Sequence, residues 1–477
     1  MSDGGLVGAL LRSARLRAIA FTAVVAIGWL NQGVTRAEWS ALRERANVSP
    51  AEHRLDRLRL PLLFLYRRAP DEELYFATAS ASLGLPYSAA VFANRGDSPL
   101  PPLTTPVDGR FHAPYAEVPF EYPPPNYAFV VMPRLLASHL TWYARVFGGT
   151  MAILLVLAAM IAAKLGAGDA PREPDGEAPR IVAFGLLLLA HGSIAVQRLD
   201  ALVALLAILM VRAAVRGQDR SLGFWAGMIA ATKLVPVLIL PAILIAGGVE
   251  SARRWSVVAL FGALGAALGL GPMIVLGRES LPLLLQYHSA RGLHVESSLG
   301  VIYGAVKAIA SIRESATLDY GSYNFHGAAS HALAKASTAL TLGLIAVVLR
   351  AARTGNRADG APVSREPGAA RDHRTTQIVI AALASITALW LGGKVFSPQY
   401  LTWALPLVVA VPGRGWRRPA FALGLILVLS QLYLRGFYDH VYNQSPDGVA
   451  TMVLRLVLLV GFFVGLTRTL RRPAPPP

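Results

Sequence analysis

About a dozen apolar stretches between Ala18 and Leu466 constrain this chain more than any other feature. A bilayer span needs about 20 mostly apolar residues, or fewer if it is packed inside a bundle. Spans are expected at Ala18–Val34, Thr141–Ala163, Ile181–Val196, Leu199–Val215, Leu222–Leu234, Val235–Gly248, Trp255–Leu276, Ala332–Val348, Ile378–Gly392, Leu401–Val411, Ala420–Leu434 and Val449–Leu466. Composition agrees: 54% of the 477 residues are hydrophobic and 15% charged, with a mean hydropathy of +0.48. A soluble domain of this length is less apolar.

The arginines orient these spans. Arg212/Arg216/Arg220, Arg253/Arg254, the run from Arg350 to Arg374, Arg414/Arg417/Arg418 and Arg468/Arg471/Arg472 all fall in loops on one side, which the positive-inside rule makes cytoplasmic. The loop Gly166–Arg180 has mixed charge and follows by alternation. Asn126–Ala137 and Leu299–Ile312 are too short to span without inverting this sorting, so both are placed as re-entrant or interfacial helices on the outer face. Lys233, Pro236 and Pro241 interrupt two short spans, which read as a helical hairpin with its tip inside the bundle. The first span follows Arg12, Arg15 and Arg17 and lacks a small-x-small cleavage site, so it reads as uncleaved, with a cytoplasmic N-terminus.

The expected architecture is an all-α polytopic membrane protein of about 12 transmembrane helices. It divides into a cytoplasmic N-terminus (1–17), a first transmembrane helix (18–34), a long extracytoplasmic loop (35–140) and a transmembrane core (141–349). A cytoplasmic linker (350–376), read as disordered, C-terminal transmembrane helices (377–467) and a disordered tail (468–477) follow. In the long outer loop the prolines from Pro86 to Pro125 alternate with Phe111, Tyr115, Phe120 and Tyr122, which predicts an ordered, packed segment.

The net charge of +17 does not imply a nucleic-acid partner. The basic residues sit in short loops, where they act as topology signals and face anionic lipid, and no aromatic-plus-basic nucleic-acid motif occurs. The chain has no cysteine, which excludes disulfides, thiol catalysis and zinc–thiolate sites.

Under this topology the polar residues of interest share the outer side. Asp71-Glu72-Glu73 follow Pro70, as at a helix start, where carboxylates suit the dipole. They also offer a general base for activating a sugar hydroxyl, and Tyr75 lies on the same helical face as Asp71. Glu72 or Glu73 would replace Asp71 in another register. Tyr122-Pro123-Pro124-Pro125 either starts a helix or walls a sugar site. Gln197-Arg198-Leu199-Asp200 puts charges at membrane depth, used for binding or neutralised as an Arg198–Asp200 pair. Lys233 either snorkels or meets a lipid phosphate. His288, Arg291, His294 and Glu296 form the densest polar cluster. Its spacing matches no zincin pattern and suits an anion, through bidentate Arg and hydrogen-bonding His. Lys394, Gln399 and Tyr400 precede Trp403 at the outer start of a span. An aromatic belt explains the rings there but not Gln399.

Taken in order, the acid-x-x-x-Tyr after the first span, the Tyr-Pro-Pro helix, the Gln at a span start, the Lys-x-x-Pro hairpin and Phe396-Ser-Pro-Gln-Tyr-Leu-Thr-Trp403 form a recognisable set. The chain resembles bacterial glycosyltransferase family 87, the polyprenyl-phosphate-mannose-dependent alpha-mannosyltransferases of the GT-C membrane fold, from about Asp71 to Pro406. It departs from the family pattern at Val196-Gln197-Arg198, where a Gly-Gln is frequent, and in the charged stretch 35–68.

The resemblance implies an inverting transfer without metal or cofactor. A sugar, expected to be mannose, would move from a polyprenyl-phosphate donor to a glycan or glycolipid acceptor. Asp71 matches the position of the base. Tyr75, Tyr122, Gln197, Arg198, Lys233, His288, Arg291, His294, Glu296, Lys394, Gln399 and Tyr400 are the candidate substrate-binding residues. The implied setting is the bacterial inner membrane, both termini cytoplasmic, with the active site extracytoplasmic among membrane lipids. A ligase or polymerase acting on lipid-linked glycans is the main alternative. A transporter fits less well, because the polar residues cluster on one side and no internal repeat is evident.

Overall fold

The computed structural model describes residues 13–23, 25, 70–87, 105–118, 120–168, 176–249, 251–277, 280–310, 312, 316–358, 367–434 and 438–472. The expected first span is described only in its opening part, where residues 14–23 are helical; the rest, most of 35–104, and the tail 473–477 lie outside the described residues.

The described chain is almost wholly helical. In order it forms α1 (Pro70–Ser82), α2 (Pro124–Leu136), α3 (Leu140–Ala167), α4 (Glu177–His191), α5 (Asp200–Val215), α6 (Asp219–Thr232), α7 (Leu240–Ala246), α8 (Ala252–Leu276) and α9 (Ser280–Ala290). There follow α10 (Ser298–Ile309), α11 (Ala328–Ala358), α12 (Pro367–Gly392), α13 (Leu405–Val409), α14 (Arg417–Leu432), α15 (Tyr438–Tyr442) and α16 (Pro446–Leu470). A small antiparallel sheet interrupts them in the order β1 (Leu293–His294), β3 (Ser322–Phe325), β2 (Thr317–Asp319).

Among the described residues five stretches are long and apolar enough to cross a bilayer: Leu140–Ala167, Ala252–Leu276, Ala328–Asn356, Ala370–Gly392 and Pro446–Leu470. The chain is therefore a helical, multi-pass membrane protein. In α12 an 18-residue apolar segment is 94% buried and forms the centre, whereas the corresponding segments of α8 and α11 are only 22% and 17% buried and present apolar flanks outward. The other apolar stretches that are described form shorter helices. Leu401–Val411, expected as a span, is a 3-10 turn (Pro398–Ala404) leading into the five-residue α13. Buried polar contacts hold it at both ends. His191 Nε2 meets Thr402 Oγ1 at 2.8 Å, and Arg180 donates to the carbonyls of Val409, Val411 and Gly413 at 2.7, 2.6 and 2.7 Å. Pro398 and Pro406 lack the N–H groups that a continuous helix would use.

The expected linker after Arg350 is shorter than its polarity implied. α11 runs on to Ala358 and α12 starts at Pro367, so Arg350, Arg353, Arg371 and Arg374 lie on helical turns, while residues 359–366 lie outside the described residues. α6 and α8 meet through glycines: a Cβ at Gly223 would strike the Val258 carbonyl, and one at Gly227 the Gly262 carbonyl. Small residues let helix backbones approach closely where lipid offers no hydrophobic drive. The hairpin tip is as expected in outline, since α6 ends at Thr232, Lys233 is extended, and a 3-10 turn (Val235–Ile239) leads into α7.

Contacts between elements place the arginine-rich loops at one end of the bundle. Arg254 pairs with Asp219 at 2.8 Å, Asn356 donates to the Ile245 carbonyl, and Arg180 caps α13 there. The end of α4, the start of α5, the end of α6 and the end of α12 gather at the opposite end, with α1, α2 and α9.

Candidate active site

α1 begins with Pro70 and carries Asp71, Glu72 and Glu73 in its first turn, where the unpaired N–H groups favour anions. It ends at Gly84, whose φ of +61° suits glycine and whose missing Cβ leaves room for the Arg110 backbone. The three acids diverge. Asp71 forms an ion pair with Arg198. Glu72 turns into the packing beneath the helix, and burial pushes its carboxyl up to about 8. Glu73 is half-buried.

Asp200, the first residue of α5, is buried, and its Oδ1 accepts from Lys233 Nζ at 2.8 Å and from Trp403 Nε1 at 2.6 Å. The lysine also lies 4.2 Å from the Tyr400 ring centroid and 5.1 Å from that of Trp403. The two rings stack with centroids 4.7 Å apart. The expected structural pair Arg198–Asp200 is thus not the pairing found: Arg198 turns to Asp71, and Lys233 takes Asp200. Arg198 remains within the field of Asp200, which raises its basicity while burial lowers it, leaving it at about 10.

A second cationic group borders this pair. Lys394 Nζ donates to the carbonyls of Ser289 and Arg291, each at 2.9 Å, and so caps the end of α9, where carbonyl charge accumulates. Arg291 Nε reaches Ser322 Oγ at 3.2 Å. Burial first, then Arg291, lowers Lys394. His288 is exposed at the edge of the site, yet the protein packed around it, and then Arg291, push it down to about 4, with Lys233 and Lys394 adding to this and Glu121 opposing it. The neutral imidazole therefore stands in a field set by three cations, an arrangement suited to an anion.

Aromatic side chains close the side nearest α1. Tyr75 is buried, edge-on to Tyr122 at 6.1 Å and against Phe147 at 5.3 Å. Tyr122 lies just before α2, and its carbonyl accepts from Tyr115 Oη at 2.8 Å. Tyr115, Phe120, Tyr122 and Tyr127 pack on one another and Phe111 is exposed; residues 88–104 of the proline-rich segment lie outside the described residues. Gln197 is buried beside Arg198, and Gln399 is half-buried in the turn that carries Tyr400.

The structure thus gathers Asp71, Tyr75, Tyr122, Arg198, Lys233, His288, Arg291, Lys394 and Tyr400, while Gln197 and Gln399 adjoin Arg198 and Tyr400 along the chain. His294 and Glu296 face a different cluster, although they follow closely in sequence. Glu296 is buried with Arg455 and Tyr433 from the C-terminal part of the chain, with its backbone carbonyl 2.8 Å from Arg455 Nη2. His294 lies 3.8 Å from the Glu296 carboxylate, and its backbone N–H bonds the Lys394 carbonyl at 3.1 Å. β1 pairs with β3 through His294 and Asn324, and the Arg291 charge still reaches His294.

Sequence reasoning missed Glu121, whose charge reaches Tyr75, Tyr122 and His288. Its adjacency to Tyr122 was the only local sign. Trp403, read as a belt residue, proves to be a buried hydrogen-bond donor to Asp200. Among the described residues, no group of three or more His, Cys, Asp or Glu side chains is placed to hold a metal ion.

Comparison with known proteins adds a family. The model described as Glycosyltransferase family 87 matches residues 120–366, slightly more than half of the 477-residue chain. The match spans Tyr122, Arg198, Lys233 and the His288–Arg291 cluster; Asp71 and Lys394 lie outside it. No curated protein and no solved structure matches.

Proposed function

The chain belongs to glycosyltransferase family 87, and from that premise we propose that it transfers mannose from a polyprenyl-phosphate donor to a glycan or glycolipid hydroxyl, with inversion, at the extracytoplasmic face. The observation that carries this reading is the convergence of one carboxylate, Asp71, with a cluster of cations at the end of the bundle opposite the arginine-rich loops. Membership of the family supports a membrane glycosyltransferase; donor, acceptor and mechanism are this proposal's own.

In the proposed reaction Asp71 takes the proton of the acceptor hydroxyl as its oxygen attacks the anomeric carbon of the donor sugar. The bond from that carbon to the phosphate oxygen breaks, and its electron pair leaves with the phosphate. The products are the glycosylated acceptor and polyprenyl phosphate, with the proton passing from Asp71 to water. The donor phosphodiester carries one negative charge, and the departing monoester gains another. Arg291, Lys233, Lys394 and the neutral His288 would stabilise that growing charge, in a site where the helix framework already fixes them. Tyr400 and Trp403 offer faces for the sugar. The exposed apolar flanks of α8 and α11 suit a donor arriving through lipid.

The test is transfer of radiolabelled mannose from polyprenyl-phosphate-mannose in membranes carrying the wild-type protein or Asp71→Asn at matched expression. Transfer by the wild type, reduced at least ~100-fold in the variant, is expected for loss of a general base. Equal transfer by both removes Asp71 from the chemistry.

A further inference from the structure

The reading of Asp71 as base leaves a physical problem. A carboxylate bonded to a guanidinium is a weak base, because the neighbouring cation favours its ionised form and lowers its pKa by roughly 1–3 units. Asp71 is held in this way by Arg198. Arg198 itself is only part-satisfied. Nη1 engages Asp71, while Nε is buried without an acceptor among the described residues. A buried, unpaired donor on a charged group costs more than an ordinary lost hydrogen bond. The open edge of the guanidinium is the one that grips phosphate through two parallel N–H groups.

We propose that Arg198 is a donor-operated latch: its guanidinium holds Asp71 until the lipid-linked donor binds, then moves to the donor phosphate and releases the base. This rests on the assignment of Asp71 above. No covalent bond changes; one ion pair is exchanged for another. The surroundings permit the exchange. The groups facing Arg198 are Asp71 from α1, Asp200 from α5, Tyr400 from the 3-10 turn and Tyr438 from α15. Lys233 and Trp403 both occupy Oδ1 of Asp200, so they hold that carboxylate in place beside the guanidinium. Arg198 therefore keeps an anion nearby on either side of the exchange. Lys233 also links this pair to the cations around His288, so the phosphate site and the latch adjoin. The functional consequence is order: an acceptor hydroxyl that arrives first meets a carboxylate already engaged, and productive acceptor binding follows the donor. Arg198 is thus a positioning residue for the base as well as a ligand of the phosphate.

The experiment reads the ionisation of Asp71 directly and needs no acceptor. Full-length protein in nanodiscs is labelled with a water-soluble carbodiimide across a pH series, and modification of Asp71 is quantified by peptide mass spectrometry. The probes are undecaprenyl phosphate and, separately, inorganic phosphate. In the wild type the labelling midpoint should rise by about 1–3 pH units when undecaprenyl phosphate is present. In Arg198→Gln the midpoint should start at the raised value and move no further. Arg198→Lys, which keeps the charge, should retain the low starting midpoint and so separate loss of the cation from general damage. A shift with inorganic phosphate as well supports the latch and assigns it to the phosphate group; a shift with the lipid alone assigns it to the lipid-linked phosphate. A wild-type midpoint unmoved by either probe overturns the proposal, as does an equal shift in Arg198→Gln. Failure of the functional reading is distinct: a fully active Asp71→Asn beside a normal labelling shift would leave the ion-pair exchange standing with no base beneath it.

Discussion

Asp200 and Lys233 form the most constrained charged pair in the site, and breaking it has a calculable outcome. The Lys233 side chain is 20% exposed and that of Asp200 only 4%, so water screens the 2.8 Å contact little. Removing one partner of such a pair strands the other and costs about 3–5 kcal/mol, whereas replacing both with neutral groups of similar volume is often close to neutral. Asp200→Asn keeps an oxygen for Trp403 Nε1 and removes only the charge, so it should fall at the low end, about 3 kcal/mol. Lys233→Met should lose a similar amount, limited by the freedom of Asp200 to take up a proton. The double variant should lie within ~1 kcal/mol of the wild type, which makes the two losses strongly non-additive. Unfolding in mixed micelles as the fraction of dodecyl sulfate rises, followed by tryptophan fluorescence, gives the four stabilities of the cycle. A double variant that loses the sum of the two single losses would show that Asp200 and Lys233 are not energetically coupled, and would refute the pairing as a source of stability.

Three further outcomes follow from the same geometry. Burial holds the Glu72 carboxyl at about 8, against 4.5 in a chain without the fold, so the folded state is penalised as pH climbs through that window. Glu72→Gln should therefore add little stability at pH 4 and up to about 4 kcal/mol by pH 8; a gain independent of pH would contradict this. His288 is pushed down to about 4, so it should remain neutral throughout the neutral range; a rate inflection near pH 6.5 that disappears in His288→Asn would show the opposite. Lys394→Met removes two charge-assisted hydrogen bonds at the end of α9. It should raise the KM for the donor at least ~10-fold with a smaller change in kcat, measured in the mannose-transfer assay, and a loss confined to kcat would place Lys394 elsewhere in the reaction.

The helical, multi-pass character and several helix boundaries were legible because they rest on local signals, apolar runs and helix-starting prolines; the expected count of about 12 spans was not, since among the described residues five stretches are long and apolar enough. Pro124, the acids at the start of α1 and the interruption at Lys233 each mark an element boundary in the structure. The Leu401–Val411 stretch was less legible. Its hydropathy reads as a span, but the contacts that let it form a 3-10 turn and a short helix come from Arg180 and His191, more than 200 residues earlier. Charge pairing was not legible either. Arg198 lies two residues from Asp200, yet the turn before α5 sends the arginine to α1 and leaves the aspartate to a lysine 33 residues on. His294 and Glu296 illustrate the same limit, since Glu296 is buried with Arg455 and Tyr433 from the C-terminal part of the chain.

These pairings bear on what an anion-binding site in a bundle end must do before its anion arrives. Cations meant for a phosphate repel one another until then, and low dielectric strengthens that repulsion. In this chain Lys233 rests on Asp200 and two aromatic faces, Lys394 on carbonyls at the end of α9, and Arg198 on Asp71. Each resting partner is a group already fixed by the fold, so the site keeps its shape without ligand. The partners differ in what their release would cost. Carbonyls and rings lose little if the lysines lean toward a phosphate. Asp200 keeps the Trp403 N–H if Lys233 leans away, whereas Asp71, once its partner leaves, is freed to act on the acceptor. A site that needs its base only after the donor is seated is therefore best served by placing that base, rather than a structural acid, opposite the most phosphate-seeking of its cations.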